Sequence, residues 1–271
     1  DFMEYILALI PALAWGSIGI ISAKMGGSTE QQTIGSMTGF LFFAIIVSFI
    51  TKPFISLAMV IVGLISGILL ALGNFGQFDG MTLLGVSTTV PLVASGQLTL
   101  NTLFGAAVFK EWTSGKQWVL GTMSLLVIIL GAKLTSFKEN TDDENSDNLK
   151  SGLTAIAIAI FCGGMYAIVP KAYQYFMHID GGPDFVFGLM LPQAVGGILG
   201  AFLIYYVRER KNPLKEYKSP YPWKNILTGL AWSTGSFFML RASTGPIGLA
   251  TAFALSQLNL LVGGMGGIVI L

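Results

Sequence analysis

Apolar residues follow one another along this chain in stretches of roughly 17–25, the length a helix needs to cross a hydrocarbon core. The stretches fall near residues 4–24, 33–51, 54–78, 82–109, 115–135, 151–172, 184–207, 223–242 and 246–271. A single long polar run, Thr135–Lys150 (TSFKENTDDENSDNLK), interrupts them. The pattern predicts an all-α integral membrane protein. It divides into a first five-helix repeat over 1–135, an acidic linker over 136–150, and a second repeat over 151–271.

The two parts echo each other. Lys24 follows Trp15-Gly16 at the spacing by which Lys171 follows Gly163. Gly73-Asn74-Phe75 parallels Gly235-Ser236-Phe237, and Gly96-Gln97-Leu98 parallels Ser256-Gln257-Leu258. An odd number of spans before the linker makes a second copy enter the bilayer from the opposite face. That is the inverted repeat of many secondary transporters, whose substrate site lies between the halves near mid-membrane. The first-half stretch Leu103–Glu111 maps onto Met265–Leu271 without its charged ending, so the second repeat halts after its fourth helix. The missing counterpart predicts further charged residues and another span of about 20 residues, a tenth helix absent from this chain.

Composition agrees with the pattern. With 53% hydrophobic and 11% charged residues and a mean hydropathy of +0.72, the chain has too little polar surface to cover a soluble domain. A net charge of +1 excludes a nucleic-acid binder, which needs a concentrated basic face. Cys162 and His178 are single, so no disulfide or metal site is expected, and no cofactor. An intramembrane hydrolase would need a nucleophile and base, or paired carboxylates, inside the spans; the chain reads as no enzyme. Asp1 and Glu4 are acidic where a cleavable signal carries Lys or Arg, so the first run is read as a retained span. Small-residue pairs at Gly63/Gly67, Gly196/Gly200 and Gly263/Gly267 predict close helix packing. Pro91 and Pro192 are expected to bend their spans.

The polar groups within the spans suit a neutral polyol. Asn74 and Gln77 share a helix face, as do Gln97 and Asn101. In the second half Ser233, Ser236 and Gln257 are the counterparts, with Trp15 and Trp232 as stacking surfaces for a sugar ring. Amides both donate to and accept from hydroxyls, although the same side chains serve equally as bonds between helices. Tyr166 and Gln193 are weaker candidates. Asp79 and Glu111, near span ends, are the candidates for proton coupling. A cation exporter would need a desolvated carboxylate, and between Ile6 and Ala23 span one carries none.

Several of these motifs occur together in one order: Trp15-Gly16, the run Gly73–Phe78, Gly85-Val86-Ser87 leading to Pro91, Phe109-Lys110-Glu111-Trp112, and Ala250-Thr251 with Ser256-Gln257. In these the chain resembles the glucose/ribose porters, bacterial sugar uptake proteins of the drug/metabolite transporter superfamily. The resemblance implies ten helices in two inverted five-helix repeats and uptake of a neutral monosaccharide, glucose or ribose, coupled to protons, across the bacterial cell membrane. An exporter of small metabolites or cations from the same superfamily is the alternative.

Loop charges bear on orientation. Six cations crowd Arg208–Lys224, and Lys24, Lys133, Lys138 and Lys150 also follow odd-numbered spans; the others are Lys52, Lys110, Lys116, Lys171 and Arg241. The positive-inside rule then makes the odd loops cytoplasmic, whereas the superfamily pattern puts the termini there.

Overall fold

The computed structural model describes residues 2–110, 112–135, 146–180, 182–243, 255–256 and 258–269, and among these it is helical throughout apart from short connections. The long helices are α1 (Phe2–Met25), α2 (Thr29–Thr51), α3 (Leu57–Leu84), α4 (Val86–Ala107), α5 (Gly115–Thr135), α6 (Ser146–Phe176) and α7 (Pro183–Glu209). A tight helical turn, Pro213–Lys218, leads to a short α8 (Pro220–Lys224), then α9 (Ile226–Ser243) and α10 (Asn259–Val269). Five of them (α1, α2, α3, α6 and α7) are long and apolar enough to cross a membrane.

Local chemistry sets the joints. α1 ends at Gly26 and Gly27, both at positive φ, and Ser28 opens α2 with a capping box: Ser28 Oγ accepts from Gln31 N–H, and Gln31 Oε1 accepts from Ser28 N–H. Gly85 (φ 84°) is the only residue between α3 and α4, so span three runs on to Leu84 rather than ending near 78. α6 begins at Ser146, inside the stretch expected as linker, because its first polar turn continues the apolar helix. Pro91 and Pro192 both lie within uninterrupted helices.

Packing links the helices in a closed circuit among the described residues: α1, α9, α2, α7, α3, α6, α4, α10 and back to α1, with α5 against α4. Glycine makes these contacts close. Gly63 and Gly67 on α3 meet Pro192, Gln193 and Gly197 on α7, while Gly196 and Gly200 on α7 meet Leu64, Ile68 and Ala71 on α3, so the two small-residue stripes interlock. A Cβ on Gly73 would lie 2.7 Å from the Gly163 nitrogen, joining α3 to α6. The same close approach recurs where Gly39 of α2 faces Gly229 of α9: a Cβ on Gly39 would lie 3.0 Å from the Gly229 Cα.

The segment after α7 folds back over α2. Gln31 Nε2 donates to Glu216 Oε2 (2.7 Å), the Thr38 and Tyr217 hydroxyls bond at 2.6 Å, and Asn225 Nδ2 donates to Gly26 O (3.0 Å). Glu216 also accepts from the Tyr205 hydroxyl. Burial pushes the Tyr217 hydroxyl above the ordinary tyrosine range, and its bond to Thr38 draws it partly back.

Candidate functional site

Trp232, on α9, is where the two main apolar clusters join. It packs against the cluster that holds Ile34, Met37 and Phe40 with residues of α3 and α7, and also against the cluster of Ile18, Phe78, Met81, Val86 and Val90. Its ring meets Phe40 edge-on at 5.0 Å and Tyr166 edge-on at 5.6 Å. Trp15, on α1, donates its indole N–H to Trp232 O at 3.0 Å, and Gly235 is bare where a Cβ would strike the Trp15 ring. Four aromatic rings from α1, α2, α6 and α9 therefore converge, through neutral contacts. The Tyr166 hydroxyl makes no hydrogen bond among the described residues.

The predicted site residues divide around this centre. Trp15 and Trp232 come together. Ser236 Oγ donates to the same Trp232 carbonyl (3.1 Å), and buried Ser233 donates to Gly229 O (2.8 Å), so both serines are satisfied within their own helix. Asn74 and Gln77 are half-buried on α3 and make no side-chain hydrogen bond among the described residues. Gln97 Nε2 donates to Ala159 O at 3.0 Å, and Gly163 leaves room for that amide; here the side chain ties α4 to α6. Among the described residues Asn101 Oδ1 on α4 is buried with no partner, and so is Asn259 Oδ1 on α10, the helix that α4 touches. Gln257 and Glu111 lie outside the described residues.

Of the weaker candidates, Tyr166 reaches the centre. Gln193 Nε2 donates to Ser66 Oγ (2.9 Å), and Ser66 donates to Tyr166 O (2.7 Å), so a chain of neutral bonds from α7 through α3 holds α6 beneath the ring. Phe40 was missed by sequence reasoning, since it is one of many apolar residues on α2 and nothing local distinguishes it.

A charged group gathers at one end of the bundle, where α2 begins and α3 and α7 finish. Arg208 Nε is 3.2 Å from Glu30 Oε1, its Nη1 is 3.8 Å from Asp79 Oδ1, and its guanidinium lies over the Phe75 ring at 5.0 Å. Thr29 Oγ1 donates to the same Asp79 oxygen at 3.5 Å. Glu30 is the most enclosed member, with its side chain 10% exposed against 47% for Arg208. Asp79 is thus an ion-pair partner rather than an isolated turn residue. Glu30 escaped notice because it sits in a helix cap, where an acidic residue is ordinary. Among the described residues no group of His, Cys, Asp and Glu could hold a metal ion.

Comparison with known proteins bears on the same chain. The family model described as Sugar transport protein matches residues 6–271. The glucose uptake protein GlcU of Bacillus subtilis is 35% identical over 271 residues, covering 99% of this chain and 88% of that protein. A Bacillus cereus protein named for sugar uptake is 38% identical over 269 residues (99% and 89%), and one from Enterococcus faecalis is 35% identical over 273 residues (99% and 89%). No solved structure matches the chain.

Proposed function

Given that the chain belongs to the sugar transport protein family, and is a membrane-type helical protein rather than an enzyme, we propose that it takes up a neutral monosaccharide, glucose in preference to ribose, by alternating access across the bacterial cell membrane. The observation that carries this reading is the uncharged aromatic centre. Trp15, Trp232 and Tyr166 offer broad faces to the C–H side of a sugar ring. The unpartnered carbonyls of Asn101 and Asn259 would accept from its hydroxyls. Asn74, Gln77, Gln97 and Gln257 complete the proposed amide set, with Ser233 and Ser236 beside Trp232. A cation exporter would want a carboxylate at this centre, whereas Glu30 and Asp79 are engaged at the bundle end by Arg208.

The proposed architecture is ten helices in two inverted five-helix repeats. The helix pairings support it. α3 packs on α6 and α7 as α9 packs on α1 and α2; α4 packs on α6 as α10 packs on α1; α2 and α7 pair with each other, as do α4 and α10. Gly67 meets Gly197 as Gly229 meets Gly39, in the register that also relates Gly73 to Gly235. Exchanging the halves returns these particular pairings.

Uptake is proposed to be proton-coupled through Asp79 or Glu111. Uptake of labelled glucose and ribose into proteoliposomes, with and without an inward proton gradient, tests the reading. Saturable glucose uptake accelerated by the gradient is expected. Absence of saturable uptake of either sugar would end the substrate assignment, and gradient-driven accumulation surviving in both Asp79→Asn and Glu111→Gln would end the coupling assignment.

A further inference from the structure

A cleft of about 420 Å³ runs between α3 and α6, apart from the aromatic centre. Its polar end is built from Asp79 on one side and Lys150, Ser151 and Thr154 on the other, and its apolar part from Phe75 and Ile158. The α6 rim (Lys150, Ser151, Thr154 and Ile158) is exposed. α6 has 31 residues, which at the helical rise make about 46 Å, longer than the roughly 30 Å of hydrocarbon. That excess length allows Lys150, in its second turn, to stand at headgroup level with Ile158, two turns further on, among acyl chains.

The charges in the cleft are opposite and incompletely matched. Lys150 makes no ion pair among the described residues, and the Ser151 hydroxyl has no partner there. Asp79 receives Thr29 and Arg208 on Oδ1, and among the described residues Oδ2 has no hydrogen-bond partner. Thr154 donates its hydroxyl proton to Lys150 O (2.9 Å), which leaves its oxygen able to accept. A complementary ligand carries an anion for Lys150 and Ser151, a hydrogen-bonding cation for Asp79 and Thr154, and an apolar tail for Phe75 and Ile158.

We propose that this cleft binds the phosphoethanolamine headgroup of a membrane phospholipid, phosphate on Lys150 and Ser151 and ammonium on Asp79 and Thr154. A choline headgroup has no N–H to give Asp79. A glycerol headgroup supplies the phosphate but leaves the carboxylate without a cation. The inference is independent of the sugar site, because it concerns the outer groove and not the aromatic centre; it shares Asp79 with the coupling proposal, and its test reads lipid binding rather than transport.

Native mass spectrometry on the delipidated, purified protein tests it, with phosphatidylethanolamine, phosphatidylcholine and phosphatidylglycerol of identical acyl chains as probes. Phosphatidylethanolamine is expected to bind about tenfold more tightly than either, a ratio typical of one charge-assisted hydrogen bond. Lys150→Gln is expected to weaken it by a similar factor. Because Asp79→Asn also disturbs the Arg208 cluster, the second variant is Thr154→Leu at the exposed rim, expected to lower phosphatidylethanolamine binding without changing thermal unfolding. Equal binding of the three lipids, a preference for phosphatidylglycerol, or unchanged binding by Lys150→Gln would each overturn the proposal.

Discussion

The aromatic centre and the charged end of the bundle hold their helices together by opposite means. At the centre, Trp232 meets Phe40 and Tyr166 edge-on and accepts one indole N–H from Trp15; the hydrogen bonds are neutral, and in the α4/α10 pair two buried amide carbonyls have no partner among the described residues. At the end, Arg208 of α7 is held by two carboxylates and a ring, and these partners come from two helices, α2 and α3. Neutral groups in a desolvated place can exchange one partner for a hydroxyl at small cost. Glu30 is tied to one cation by charge, although water reaching the half-exposed Arg208 keeps the worth of that pair modest. The centre is thus the better place for a neutral polyol, and the end the better place for a fixed closure.

Breaking the centre should have the largest effect. Trp232→Ala removes the ring shared by two clusters and is expected to cost about 3–5 kcal/mol of stability, with loss of sugar binding; a thermal melt in detergent and equilibrium dialysis with labelled glucose measure both. Normal affinity in a folded Trp232→Ala protein would move the sugar away from this ring. Next comes the glycine scaffold that presents it: Gly67→Val meets Gln193 O and Gly197 across α3 and α7, an overpacking expected to cost about 1–3 kcal/mol. Folded yield by size-exclusion chromatography reads that cost, and an unchanged yield would mean that α3 and α7 are less tightly joined than described.

The charged end should respond more weakly. Arg208→Gln is expected to cost about 1 kcal/mol, as the arginine is half exposed, and to leave sugar affinity within about twofold. A thermal melt at low and high salt separates the two proteins, the wild type alone losing stability as salt screens the pair. A large drop in affinity would instead join the two regions into one site. Smallest of all is Ser236→Ala, expected to cost under about 0.5 kcal/mol with unchanged glucose affinity, because its hydroxyl bonds within its own helix. A clear affinity loss on dialysis would show that this hydroxyl leaves Trp232 O for the sugar.

Much of this arrangement was legible in the sequence, for reasons that are local. Apolar length located the helices, and glycine spacing located the interlocked faces of α3 and α7. Trp15 and Trp232 could be singled out because large amphipathic rings are few within the spans. What could not be read was partner choice. Gln97 and Asn101 sit on one helix face, yet one amide nitrogen is taken up by Ala159 O while the other side chain's carbonyl is left buried and open. That difference depends on how close α6 comes at Gly163, a tertiary distance. The Glu30–Arg208 pair joins residues far apart in sequence, one disguised as an ordinary cap residue and the other as a positive-inside charge. The α6 start at Ser146 was hidden by polar composition, which marks solvation rather than the end of a helix.

The segment after α7 also bears on the order in which the protein is made. Ribosomes deliver α2 long before residues 213–225 exist, and until then Gln31 and Thr38 lack the partners they have in the finished fold, Glu216 and Tyr217. Thr38 can bond to Ile34 O within its own helix, but Gln31 has its capping bond alone. The early helices therefore complete their polar contacts only when a much later stretch of chain returns to them, and until then the Gln31 amide N–H groups of α2 are left to water.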